Sequence, residues 1–197
     1  MASIVYLFKN RAKFSFGSYI FFKAWGKRIL LFPELLSRNW TRKRLTIKGA
    51  KIHPTAEIGK AQVRGNKGNL TVGANSFIGL TELALHDQIN IGKNVCINDG
   101  AKLLTASHNI NDTQWRHVRA AIIIEDYAWI ATNAIILPGV KIGAGAVIGA
   151  GAVVSKNVEA GNIVIGNPAK ALEKRRVQNL DYNPCEFLAA NQAWLKG

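Results

Sequence analysis

The sequence predicts an all-β solenoid: a parallel β-helix of hexapeptide repeats with a protruding loop, a helical, amphipathic N-terminal segment and a helical C-terminal tail. Three observations carry this prediction. A β-branched residue recurs every six positions through the second half of the chain. That rhythm breaks once, in a stretch of polar, aromatic and imidazole groups. The basic residues gather ahead of the repeats rather than among them.

The N-terminal segment, residues 1–46, comes first. Residues 1–50 carry eleven Lys/Arg against one acid, Glu34, for +10, whereas residues 51–197 carry fifteen against eleven, for +4 of the total +14. Within the segment, "FSFGSYIFFKAWGKRILLF" is apolar and aromatic, broken by Lys23, Lys27 and Arg28. A bilayer-spanning helix needs about 20 uninterrupted apolar residues, and this run is shorter and internally charged. Two readings stay open: an amphipathic helix on an anionic membrane surface, or a helix packed on the body with its lysines in water. Nucleic acid is a weaker candidate partner, because no binding motif accompanies the charge. No small-residue cleavage site follows the apolar run. Cys96 and Cys185 are too few for a disulfide framework, so both are expected as reduced thiols in a cytoplasmic protein, with the inner face of the membrane as a candidate location.

The body, residues 47–168, holds the repeats. Stepping by six from Val118 gives Ile124, Ile130, Ile136, Ile142, Ile148 and Val154, all β-branched. Small or β-branched residues recur four positions after most of these, at Ala128, Ala134, Val140, Ala146, Ala152 and Val158. The beat is shorter earlier: Ile52 and Ile58; Val72, Ile78 and Ala84; Ile91, Ile97 and Leu103. A helix repeats at 3.6 and a strand at 2, so neither explains a period of six. A three-sided solenoid does. Each short strand forms one side and sends one aliphatic side chain to the axis, and three steps close a coil. Ile124 then stacks on Ile142 and Ile130 on Ile148, with small residues near the corners.

The break in rhythm is the predicted loop, residues 105–117. From Leu103 to Val118 is fifteen residues, which is not a multiple of six, so the chain must leave the solenoid and return. The loop carries His108, Asn111, Asp112, Trp115, Arg116 and His117. Loops on rigid scaffolds often carry function. A Trp face can stack on a pyranose and a guanidinium can pair with an acidic sugar or a phosphate, so Trp115 and Arg116 are acceptor-binding candidates. An anchor role for Trp115 is equally open. Cys96, between Val95 and Ile97, reads as packing.

The strings "IGKNVCINDGAKL", "SHNINDTQW" and "YAWIATNAIILPGVKIGAGAVIGAGAVVSKNVEAGNIVIGNPAKAL" resemble the hexapeptide-repeat acyltransferases, most of all the colanic-acid-type sugar O-acetyltransferases of polysaccharide biosynthesis. The resemblance covers about residues 47–175. It implies a left-handed β-helix, a homotrimer, acetyl-CoA as co-substrate, a sugar or glycan acceptor and no metal. It also implies that His108, in the "SH" at the exit from the coil, is the general base: a neutral hydroxyl is a poor nucleophile, and imidazole accepts its proton near neutral pH. His117 earns no such weight. The donor positions it implies are Thr132, Ala150, Ser155, Lys156 and Lys170, with Arg175 and Arg176 extending the basic cluster. Related transferases place an asparagine about one coil before the histidine, but "LTELALHDQ" has none. Asp87 or Glu82 could orient His108, though solvated corners are the preferred reading of both.

Rival readings are an antibiotic or other small-molecule O-acetyltransferase of the same fold, a metal-dependent carbonic anhydrase on the same solenoid, and a non-catalytic membrane- or polymer-binding module. The carbonic anhydrase would need three suitably spaced histidines, which His86, His108 and His117 do not provide. The tail, residues 169–197, adds no motif beyond Lys170, Arg175 and Arg176.

Overall fold

The structure, a computed structural model, describes residues 2–197. Three helices lead: α1 (Ile4–Lys9), α2 (Tyr19–Leu30) and α3 (Phe32–Ile47). Ser3 and Ser18 cap the first two, their hydroxyl oxygens accepting from the Tyr6 and Phe21 amides, which satisfies donors that no helical carbonyl can reach. Pro33 opens α3, where its missing N–H leaves nothing unpaired.

The solenoid follows in coils of three short strands. The first is β1 (Lys51–Ile52), β2 (Glu57–Ile58) and β3 (Gln62–Gly65). The second is β4 (Leu70–Val72), β5 (Phe77–Ile78) and β6 (Glu82–Leu85), and the third is β7 (Ile89–Ile91), β8 (Cys96–Ile97) and β9 (Lys102–Leu104). An antiparallel hairpin, β10 (Ala106–His108) and β11 (His117–Arg119), then leaves the body. The coils resume with β12 (Ile122–Ile124), β13 (Trp129–Ile130) and β14 (Ile135–Ile136), then β15 (Lys141–Ile142), β16 (Val147–Ile148) and β17 (Val153–Val154). β18 (Asn162–Ile165) adds one more side, and β19 (Lys170–Arg175) turns back antiparallel on it.

Each strand pairs in parallel with its counterpart one coil on, which makes three flat sheets. The first runs β1-β4-β7-β12-β15 and the second β2-β5-β8-β13-β16-β18-β19. The third runs β3-β6-β9-β14-β17. The expected ladder is met: Ile124 lies opposite Ile142 and Ile130 opposite Ile148, and all four are buried. Residues pointing the other way form an outer row. On the second sheet this row includes Phe77, Cys96, Trp129 and Val147. Small corners have a steric cause. A Cβ on Gly73 would collide with the Gly92 carbonyl, and one on Gly143 with the Ala160 amide, both backbone of the next coil.

Val118 does not belong to the ladder. It lies in β11, pairs across the hairpin with Ser107 and is exposed. The insertion therefore extends to Arg119, and the axial ladder restarts at Ile122 and Ile124, both buried. Val118 is β-branched because it sits in a strand, and its place on the six-residue count is a coincidence of spacing.

The N-terminal end of the prism is tied down, and the tail returns to it. Arg42 of α3 is buried and donates to the carbonyls of Ile52, His53, Pro54 and Ala56 at 2.5–3.4 Å. It thus satisfies first-coil carbonyls that have no coil beneath them. The tail begins as the strand β19 and turns helical only towards its end, in a 3-10 turn at Pro184–Phe187 and in α4 (Ala189–Leu195). Residues 182–188 first cross the outer row of the second sheet, where Tyr182, Pro184, Phe187 and Leu188 face Phe77, Cys96 and Trp129 around a cavity of about 260 Å³. α4 then returns to the N-terminal helices, and Ala190 and Trp194 join Ala2, Leu7 and Leu35 in a second small core. Arg28 fastens this junction, donating to Ala193 at 3.0 Å and Ala12 at 2.8 Å. Among the described residues no helix is long and apolar enough to cross a membrane.

Candidate active site

The hairpin grows from the edge between the third and first sheets. Its neck is the buried Thr105, whose carbonyl accepts from Ala120 at 3.1 Å and whose hydroxyl donates to Ala84 O at 2.5 Å. Above the neck, three cross-strand pairs end at His108 opposite His117. The tip is held by its own polar groups. Asn109 N donates to Arg116 O at 3.0 Å, Trp115 N to Asp112 O at 2.8 Å, and the Asp112 carboxylate pairs with Arg116 at 3.0 Å.

This arrangement brings three rings together. The Trp115 indole stacks on the His108 imidazole, with centroids 3.6 Å apart and planes 12° from parallel. The His117 ring meets His108 edge-on at 4.2 Å. Trp115 has φ of +49°, a backbone region that bulky residues rarely occupy. That turn aims its carbonyl at His108 Nδ1, 2.6 Å away. A carbonyl has no proton to give, so Nδ1–H is the donor and the neutral ring carries its lone pair on Nε2. His108 is half-buried and Trp115 exposed. One group is thus oriented by a second, with its basic nitrogen free.

The orienting group is a backbone carbonyl, not an acid. Glu82 faces Arg64 at 3.6 Å, and the Asp87 carboxylate accepts from the Gln88 amide at 2.7 Å. Sequence reading could not find the Trp115 carbonyl, because a backbone atom leaves no mark on residue identity. It also gave His117 little weight, since only the hairpin register places it across from His108.

The candidate donor residues are all exposed and lie along two edges of the prism. Thr132 and Ala150 share the edge between the second and third sheets, where Gly151 N donates to Thr132 O at 2.9 Å. Lys170 lies at that end of the second sheet, opposite Ile165. Ser155 and Lys156 follow β17 on the other edge, the one from which the hairpin leaves, two coils beyond it. Arg175 and Arg176 do not join them. They lie at the far end of β19, on the third edge: Arg175 donates to Ala160 O at 2.6 Å and Arg176 to Tyr127 O at 2.8 Å and to the Tyr182 hydroxyl at 2.9 Å. They fasten the tail to the coils.

The thiols are held out of reactive form. Burial pushes the Cys96 pKa up to about 11 and the Cys185 pKa up to about 12, and a protonated thiol is a weak nucleophile. Among the described residues no group of three or more His, Cys, Asp or Glu side chains could hold a metal ion.

Comparison with known proteins fits this geometry. The family described as bacterial transferase hexapeptide (six repeats) matches residues 121–156. The acetyltransferase WcaF, assigned to colanic acid biosynthesis in Escherichia coli (strain K12), is 30% identical over 155 residues, which cover 77% of this chain and 85% of that protein. Among solved structures, the hexapeptide-repeat acetyltransferase VCA0836 of Vibrio cholerae O1 biovar eltor, complexed with acetyl coenzyme A, superposes with a TM-score of 0.65. That match has 24% identity and covers 90% of this chain and all of that one, so it speaks for the fold. A maltose O-acetyltransferase from Clostridium difficile 630 follows with a TM-score of 0.56 at 28% identity, covering 76% of this chain and 89% of that one. With three stacked parallel sheets of six-residue period, one protruding hairpin and a relative matched over most of its length, the chain is a left-handed β-helix enzyme of the hexapeptide-repeat acetyltransferase family.

Proposed function

We propose that the protein transfers the acetyl group of acetyl-CoA to a sugar hydroxyl in a surface-polysaccharide or other glycan precursor, with His108 as general base. The observation that carries this is the His108 imidazole, whose Nδ1–H is committed to the Trp115 carbonyl and whose Nε2 is left to act. Nε2 takes the proton of the acceptor hydroxyl as its oxygen attacks the thioester carbonyl carbon. The tetrahedral intermediate then expels the CoA sulfur, which receives that proton from the imidazolium. Both substrates are bound together and no acetyl-enzyme forms, in keeping with the high pKa of both thiols.

The open face of Trp115, away from His108, suits the apolar face of a pyranose. Arg116 stands beside it, partly neutralised by Asp112, and can pair with an acidic sugar or a nucleotide phosphate. For the donor, Thr132 and Ala150 give an extended pantetheine arm close access to backbone, Ser155 offers a hydroxyl, and Lys156 and Lys170 meet CoA phosphates. These positions fall on two edges of one prism. A homotrimer, in which one protomer's hairpin edge faces another's outer edge, would place both sets along a single groove. We assign the reaction to the cytoplasm, with residues 1–46 in peripheral contact with the membrane.

The acceptor class named by the relatives, colanic acid biosynthesis for one and maltose for another, favours a sugar. The test is a panel of free, nucleotide-linked and lipid-linked glycans, with an antibiotic alcohol for comparison, incubated with acetyl-CoA while thiol release is followed. Turnover confined to one class of glycan is expected. Turnover of the antibiotic alone would overturn the sugar assignment.

A further inference from the structure

α2 is built inside out. A helix on a water-soluble body buries its apolar stripe and exposes its charges. α2 buries Ala24 and Arg28 and exposes Tyr19 (78%), Phe22 (62%), Ile29 (70%) and Leu30 (79%). At 100° per residue these four fall on the face opposite Ala24 and Arg28, with only Gly26 between them. The helix cannot roll to hide them, because Arg28 is bound to the carbonyls of Ala193 and Ala12.

The surroundings repeat the pattern. Phe16, in the turn before α2, is 89% exposed. α3 exposes Leu36, Trp40 and Ile47, which with exposed Lys43 follow the i, i+4, i+7, i+11 spacing of one helix face. Twelve of the 22 exposed large apolar side chains lie in residues 5–47, far more than scattered surface apolars would give. The same stretch carries Lys9, Lys13, Lys23, Lys27 and Lys43 exposed, and its one acid, Glu34, is engaged by Arg38 at 2.6 Å. The occupant of this face must therefore be apolar and anionic together.

We infer that α2, with the Phe16 turn, docks on an anionic lipid bilayer, its aromatic and aliphatic face among the acyl chains and its lysines at the headgroups. Twelve residues make about 18 Å of helix, too short to span a core of about 30 Å, so the helix lies in the interface. Tyr19 and Trp40 suit the headgroup level, where amphipathic rings collect. This inference rests on the peripheral placement proposed above and is independent of the transfer chemistry.

The test is flotation of the full chain with vesicles of phosphatidylcholine alone or mixed with phosphatidylglycerol. Binding is expected to the mixed vesicles, weaker by about tenfold or more to phosphatidylcholine, and falling with added salt. Phe22→Glu with Ile29→Glu is expected to lose about tenfold or more in vesicle binding, and Lys13→Glu with Lys23→Glu to lose the preference for phosphatidylglycerol. Thiol release with a soluble acceptor should be unchanged in both variants, and that assay reports the transfer chemistry separately. Undiminished vesicle binding by the Phe22/Ile29 variant would overturn the inference. So would dissociation of an oligomer in light scattering with vesicle binding intact, which would assign the face to a contact between copies of the chain.

Discussion

The two nitrogens of His108 are unlike, and the hairpin makes them so. Nδ1 is spent on the Trp115 carbonyl at 2.6 Å, and the ring is sandwiched against the indole face and the edge of His117. The tautomer is fixed by an atom that substitution of the Trp115 side chain leaves in place, whereas the ring's position depends on the stack. Trp115→Ala should therefore lower kcat by about tenfold, the worth of one aromatic stack, with little change in KM for acetyl-CoA. Steady-state kinetics with each substrate varied in turn would check this. A rise in donor KM with kcat unchanged would move Trp115 from the acceptor side to the donor side.

At the scale of elements, the ladder carries the stability and the thiols record its packing. Ile130 is buried between Ile97 and Ile148 on consecutive coils. Ile130→Ala should cost about 2–5 kcal/mol, read as a lower midpoint in urea. Cys96 and Cys185 have their pKa values raised by burial. A raised folded pKa means that the unfolded chain ionises first. The stability these thiols contribute is thus complete below the ordinary thiol range and is lost as pH rises toward about 11 and 12. Iodoacetamide near pH 8 should modify neither thiol in the native protein and both in denaturant. Rapid native labelling of Cys96 would contradict its packed state.

The coils were legible in the sequence because one side chain per step faces the axis, so burial writes itself into the letters at period six. Val118 shows the limit of that signal: a strand outside the solenoid can keep the count by chance. The hairpin's existence was legible from the failure of the count, but its register, and so the approach of His117 to His108, was not. The tail was less legible still. β19 is a strand because it pairs antiparallel with β18, the last parallel strand of the second sheet, and Arg175 is bound to the Ala160 carbonyl beside that pairing and Arg176 to the Tyr127 carbonyl of an earlier coil. Contacts of that kind have no local pattern.

At the scale of the molecule, one prism is closed at its base by α3 and Arg42, while the tail returns along the second sheet to a small core shared by α1, α3 and α4. Its outer surface divides the work. A hairpin on one edge holds His108, the proposed base, the candidate donor positions run along two edges, and the helices below present an apolar, basic face. The division of donor positions between edges is the reason for the proposed trimer, for which light scattering should return three times the 21.5 kDa chain mass. A stable monomer would remove the shared groove.

The most direct test of the central assignment is His108→Ala, measured twice: single-turnover transfer from acetyl-CoA to a competent glycan, and CoA binding by calorimetry. Transfer should fall by about 10²–10⁴ while CoA affinity stays within about twofold. Transfer at the wild-type rate, or an equal loss of CoA binding, would contradict the role of this imidazole as the base.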